Sequence, residues 1–154
     1  MYKEEQLKLS SQVCFPIYSV SRLLTKAYKP YLDTMGITYP QYLVLLVLWE
    51  NDAVTVNEIT KKLYLNTNTV SPLLKRMEKA HLIERNRSIS DERSVVIQLT
   101  SQGKELKKVA SQVPDKLLQV LLTTNVNLPD IMNLKDTLEE WIEVLREQKI
   151  KEIK

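Results

Sequence analysis

Cys14 is the only thiol and His81 the only imidazole in 154 residues. A structural zinc takes four Cys/His ligands, and a hydrolytic triad would have to use His81 as its sole imidazole base, so neither a metal, a cofactor nor an enzyme is expected. One thiol allows no intrachain disulfide, which suits a reducing cytoplasm; redox chemistry at Cys14 must recruit another molecule or subunit. Three tyrosines make such chemistry worth considering. Tyr18 lies at i+4 from Cys14 and Tyr28 at i+14, each within about 40° of the thiol around an uninterrupted helix. Tyr28 nevertheless stands about 21 Å along the axis, out of reach within one straight helix. An antiparallel partner helix would bring Tyr28, with Tyr39 as a further candidate, from one subunit to Cys14 of the other. Phenolic O–H groups donating to sulfur favour thiolate over thiol, as does a helix N-terminus such as Pro16 could create. A thiolate attacks a peroxide oxygen to give a sulfenic acid, which condenses with a thiol. With no second cysteine, the expected end is a mixed disulfide with a small cellular thiol, or overoxidation. The plainer alternative is a buried, inert Cys14 with Tyr18, Tyr28 and Tyr39 as core tyrosines whose hydroxyls are satisfied.

These residues need a scaffold, and composition favours a helical one. Hydrophobic residues make up 44% of the chain, enough for a core, and two glycines argue against phosphate loops and turn-rich β folds. The longest apolar run, Tyr42 to Trp49, is too short for a membrane span, and no apolar leader follows the first residues; a cytoplasmic protein is expected. The net charge of +3 is local. Residues 55–93 carry eight Lys/Arg against five Asp/Glu, whereas both flanks are neutral. Such a segment fits a nucleic-acid surface or an ordinary solvated face.

Apolar spacings of three and four predict a helix from about Leu7 to Leu32, interrupted at Pro16 by a kink or by a fresh helix start. Gly36 supplies a stop, and Pro40 opens a second helix through about Glu50. Thr55-Val56-Asn57-Glu58 has capping-box form and starts a short helix ending near Leu63. Asn66, Thr67, Asn68 and Thr69 offer N-caps for another, carrying Val70, Leu73, Leu74 and Met77. Together these make a helix-turn-helix, whose second helix leads into a major groove. Leu82 to Arg85 and Ser94 to Leu99 read as a β-hairpin, with Arg85, Arg87, Asp91, Glu92 and Arg93 at its tip, a wing able to reach phosphates or the minor groove. Thr100 caps a helix to roughly Leu122, bent at Pro114, and a last helix spans about Pro129 to Lys149. The fold class is mostly α with a small β-wing. Long striped helices at both ends suggest a dimer, an ordinary monomeric bundle being the alternative.

Leu73-Leu74-Lys75-Arg76-Met77-Glu78, then Leu82-Ile83 and Asp91 through Thr100, resemble the recognition helix and wing of MarR-family winged helix-turn-helix regulators. Cys14-Phe15, Tyr18, Tyr28-Lys29-Pro30 and Ile37 through Tyr42 are similar to the OhrR-type subgroup, which senses organic hydroperoxide, in its one-cysteine form. The resemblance covers residues 10–120. It implies a homodimer with residues 1–35 and 101–154 as dimerisation helices and residues 36–100 as the DNA-binding domain, set on a pseudo-palindromic operator. It also implies redox sensing by Cys14, Tyr18, Tyr28 and Tyr39, and DNA contacts from Asn66, Thr67, Asn68, Thr69, Ser71, Arg76, Asp91 and Arg93, to which the hairpin reading adds Arg85 and Arg87. In the family an Asp matching Asp91 holds the wing arginine that matches Arg93. The chain departs from the subgroup at Asn66, where Asp is usual, and at Asn68, where Gly is usual; Asn tolerates a left-handed backbone. Competing readings are a regulator released by a phenolic or lipophilic ligand with Cys14 structural, a thiol peroxidase, and a protein adaptor.

Overall fold

The computed structural model describes residues 2–87 and 94–152. Along them run α1 (Tyr2–Gln6), a 3-10 turn (Leu9–Ser11), α2 (Cys14–Thr34), α3 (Tyr39–Glu50), β1 (Val54–Thr55), α4 (Val56–Leu63), α5 (Thr67–Lys79), β2 (Ile83–Arg87), β3 (Val95–Leu99), α6 (Ser101–Ala110), α7 (Val113–Leu121) and α8 (Leu128–Glu152). The architecture is mostly helical with one antiparallel sheet in the order β1-β3-β2. The chain divides into two compact units, Met1–Val113 and Pro114–Lys154.

The helix-turn-helix in the first unit is defined by its caps. The Thr55 hydroxyl accepts from the Glu58 amide at 3.2 Å, and the Glu58 carboxylate accepts from the Thr55 amide at 2.7 Å. Two orphan donors are thereby satisfied, and the hydrogen bonds from Thr55 pull the Glu58 carboxyl below its ordinary pKa. Tyr64 ends α4 in the left-handed region, at φ 54°, and the Leu65 amide closes the turn on the Thr60 carbonyl at 3.0 Å. Asn66 then caps α5, its side-chain oxygen accepting from the Thr69 amide at 2.9 Å and the Thr69 hydroxyl at 3.0 Å. Ile59, Val70, Leu74 and Met77 are fully buried with Val44, Leu45, Leu48, Ile83 and Ile97. That core fixes the angle at which α5 leaves the turn. Asn66→Ala should lower the free energy of unfolding by about 1 kcal/mol, with Asn66→Asp close to wild type, as read by urea denaturation.

In the sheet, β3 is central. Ile83 pairs with Leu99, Arg85 with Ile97 and Arg87 with Val95 on one side, while Val54 and Thr55 pair with Ile97 and Val96 on the other. The Asp52 carboxylate ties the sheet to α6: Oδ1 accepts from the Leu99 amide at 2.9 Å, and Oδ2 lies 3.4 Å from Lys104 Nζ. Thr100 caps α6, accepting from the Gly103 amide at 3.1 Å. Trp49 joins α3 to α6, its indole N–H donating to the Gly103 carbonyl at 2.9 Å.

Several expectations are corrected. The first long helix starts at Cys14 rather than Leu7, and Pro16 stands in its first turn, where the missing N–H costs no helical bond. β1 has only two residues, too few to show the alternation that marks a strand. Residues 100–122 form two helices, α6 and α7, with Pro114 in the first turn of the second rather than at a bend. Asn68 lies within α5, so the left-handed residue of the turn is Tyr64. Arg85 is in the body of the sheet, not at the hairpin tip. Asp91, Glu92 and Arg93 lie outside the described residues.

In the second unit α8 is the long element, preceded by a bridge between Thr123 and Val126. Asn127 and Asp130 cap it reciprocally: the Asp130 amide donates to Asn127 Oδ1 at 3.0 Å and the Asn127 amide to the Asp130 carboxylate at 2.9 Å. Met132, Leu134, Trp141, Val144 and Leu145 remain exposed along α8.

Candidate functional site

Cys14 is exposed and is the first residue of α2, where backbone N–H groups lack helical acceptors. Tyr18 lies one turn on and is 60% exposed, with the Arg22 guanidinium 5.2 Å from its ring centroid. Cys14, Tyr18 and Arg22 therefore form an i, i+4, i+8 row on one helix face, the cation holding the second member. Phe15, Ile17, Val20 and Leu23 around this row are also exposed.

Tyr28 and Tyr39 belong to a separate cluster near the other end of α2. Their ring centroids are 4.8 Å apart, and both meet the Tyr42 ring, at 5.7 Å from Tyr28 and 6.3 Å from Tyr39. Tyr42 in turn meets Trp49 at 6.2 Å, edge to face. Burial raises all three phenol pKa values, and burial together with Tyr39 and Tyr42 pushes Tyr28 up to about 12. These phenols remain protonated donors near neutral pH. Since α2 runs unbroken from Cys14 to Thr34, the structure brings Tyr28 and Tyr39 together but leaves both far from the thiol of their own chain. Beside Tyr39 opens a cavity of about 410 Å³, with Leu32, Ile37 and Pro40 as apolar wall and Arg22, Lys26 and Lys29 as cations.

The nucleic-acid candidates gather around the leading end of α5. Thr67, Asn68 and Thr69 are exposed in its first turn, Ser71 is half-buried, and Arg76 is exposed further along. Asn66 and Thr69 are joined in the cap. A cleft of about 230 Å³ is lined by Thr55, Asn57, Thr67, Ser71, Arg85 and Ser94, where the first turns of α4 and α5 face the sheet. Arg85 is half-buried there, 3.7 Å from the Glu78 carboxylate of α5, and its Nε has no hydrogen-bond partner among the described residues. It links β2 to α5. Arg87 is exposed at the end of β2.

Sequence reasoning gives no role to Arg22, and places Tyr42 in the Ile37 to Tyr42 motif without making it part of the site. Both carry a signal in hindsight: Tyr42 is three residues from Tyr39, and Arg22 is four from Tyr18. Among the described residues no cluster of His, Cys, Asp and Glu is arranged to hold a metal. Nor is any described helix long and apolar enough to cross a membrane.

Residues 26–109 match the family described as Transcriptional regulator SarA/Rot. The chain is 44% identical over 146 residues to the organic hydroperoxide resistance transcriptional regulator of Bacillus subtilis, covering 95% of this chain and 97% of that one. Its fold matches reduced AbfR bound to DNA with a TM-score of 0.78 at 36% identity, covering 95% and 98% of the two chains. Overoxidised AbfR, also bound to DNA, matches with a TM-score of 0.72 at 36% identity over 93% and 98% of the chains. AbfR is a protein of Staphylococcus epidermidis. A cysteine-to-serine mutant of MarR from E. coli shares the fold with a TM-score of 0.67 at 23% identity, covering 85% and 96%.

Proposed function

Because the chain belongs to the SarA/Rot family of transcriptional regulators and has the MarR-type winged-helix fold, we propose that it is a DNA-binding repressor that senses organic hydroperoxide through Cys14. One observation carries the sensing role: an exposed thiol shares a helix face with Tyr18, while the two phenols suited to complete its site, Tyr28 of α2 and Tyr39 of α3, are held together too far from the thiol of their own chain. A second copy of the chain supplies them. The uncovered apolar faces of α2 and α8 fit the same requirement, with residues 1–35 and 101–154 forming the dimer and residues 36–100 carrying the DNA-binding surface. Thr67, Asn68, Ser71 and Arg76 then meet the major groove, Arg87 the phosphates, and Arg93, held by Asp91, the minor groove.

The chemistry follows from a thiolate held by phenol donors. Sγ attacks the terminal peroxide oxygen, the S–O bond forms as O–O breaks, and the departing alkoxide takes a proton to leave as an alcohol. The sulfenic acid condenses with a small cellular thiol, losing water and leaving a mixed disulfide. The adduct displaces the phenols and respaces the two DNA-binding lobes, which ends simultaneous half-site binding. An overoxidised relative found on DNA favours the bulky mixed disulfide over added oxygens as the releasing form. A peroxidase role fits poorly, since a winged helix-turn-helix is of no use to it and the chain has no resolving cysteine.

The direct test titrates cumene hydroperoxide into reduced protein bound to the DNA upstream of its own gene, at fixed salt and with a small thiol present. Release at about one oxidant per protomer is expected. Undiminished binding overturns the sensing role, and absence of binding before oxidant overturns the DNA-binding one. The cavity beside Tyr39 favours a second reading, release by a phenolic or lipophilic ligand. Release by such a ligand but not by hydroperoxide would select it.

A further inference from the structure

We infer that Tyr42 is a positioning residue for peroxide sensing, holding the Tyr28 and Tyr39 rings in the one arrangement from which their hydroxyls reach the partner subunit's thiol. The inference rests on the sensing role of Cys14. Tyr42 is 2% exposed, whereas Tyr28 and Tyr39 are only half-buried and each has an open side. Tyr39 is the first residue of α3 and Tyr28 lies on α2, so their arrangement depends on what packs where the two helices meet. The Tyr42 ring, one turn on from Tyr39, touches both, tilted against Tyr28 and Tyr39 by 42° and 44°.

Its own position is fixed in turn. Trp49 packs edge-on against Tyr42, and the Trp49 indole is anchored by its hydrogen bond to Gly103 of α6. The phenol pair is thus referenced, through the buried Tyr42 ring and the half-buried Trp49 ring, to the helix that follows the wing. A phenol that changes rotamer moves its hydroxyl by several ångströms, beyond hydrogen-bond reach of a sulfur it was meant to meet. Preorganised donors are worth most where they cannot relax away, and a ring with no partner behind it can. The Tyr42 hydroxyl is not required for this role, but its ring is. Arg22, Lys26, Lys29 and Asp33 line the cavity beside Tyr39 and offer no packing surface equivalent to the ring.

The test measures loss of the Cys14 thiol with cumene hydroperoxide in the full-length reduced protein. Tyr42→Phe should react within twofold of wild type, and Tyr42→Met, which fills the volume without a flat ring, about tenfold slower. In a Tyr28→Phe/Tyr39→Phe background, Tyr42→Met should change the rate by less than twofold, because the groups it positions have gone. Tyr42→Leu repeats the comparison if Tyr42→Met is unfolded by circular dichroism. A wild-type rate in Tyr42→Met, or an equal slowing in the double-phenylalanine background, overturns the positioning role while the sensing role stands. Failure of wild-type Cys14 to react overturns both.

Discussion

Cys14→Ser is expected to hold its operator at hydroperoxide concentrations about 100-fold above those that release the wild-type protein. The expectation separates two jobs that α2 performs. Cys14 touches no core residue of its own chain, and a serine hydroxyl of nearly the same size still accepts from the partner's phenols, so replacing sulfur by oxygen leaves the dimer contact in place. DNA affinity of the reduced state should stay within twofold. A serine hydroxyl does not ionise near neutral pH and is no nucleophile toward peroxide, so the response itself disappears. Fluorescence anisotropy of labelled operator across an oxidant titration reads both quantities. If the mutant releases DNA at the wild-type dose, oxidation acts elsewhere, with the exposed methionine Met132 as the first place to look. If the mutant fails to bind before oxidant is added, Cys14 has a structural part that its exposure does not suggest.

The helix-turn-helix was legible in the sequence because its determinants are local. Thr55 and Glu58 announce one cap, Asn66 the next, and Val70, Leu73, Leu74 and Met77 keep helical spacing between. β1 was not, because Val54 and Thr55 are strand only through their pairing with Ile97 and Val96 some forty residues on. The break between α6 and α7 is not legible either, since a proline in an apolar-striped segment marks a bend or a fresh helix start equally well. The thiol and its tyrosines could be picked out by residue type and helical angle. Their grouping could not: Tyr42 was read as the start of an apolar run, and only the approach of α3 to α2 shows it packed on Tyr28. Arg85 likewise reads in sequence as a hairpin-tip charge, because its pairing with Glu78 of α5 exists only in the fold.

Gly103→Ala should cost about 3 kcal/mol of stability, the largest effect of any single methyl group in the chain's two glycines, Gly36 and Gly103. A Cβ at position 103 would lie 2.2 Å from the Leu82 carbonyl oxygen and 3.1 Å from Leu99 Cδ2. The first neighbour is backbone and cannot swing aside, so α6 must move off the start of β2. That motion strains three hydrogen bonds at once. The Thr100 amide donates to the same Leu82 carbonyl at 3.1 Å, the Thr100 hydroxyl to the His81 carbonyl at 2.6 Å, and Trp49 to the Gly103 carbonyl at 2.9 Å. Gly36 provides the contrast, because its φ of 66° makes alanine strained while nothing lies within 4 Å of the added carbon. Gly36→Ala should therefore cost only about 1 kcal/mol, through backbone conformation alone. Urea denaturation with an unchanged m-value distinguishes the two, with Gly103→Ala showing the larger fall in midpoint. An alanine tolerated at 103 with a wild-type midpoint would mean that α6 can slide along the wing at little cost. The Trp49 anchor behind Tyr42 would then be too soft to hold the phenols, and Gly103→Ala should leave the rate of Cys14 oxidation unchanged.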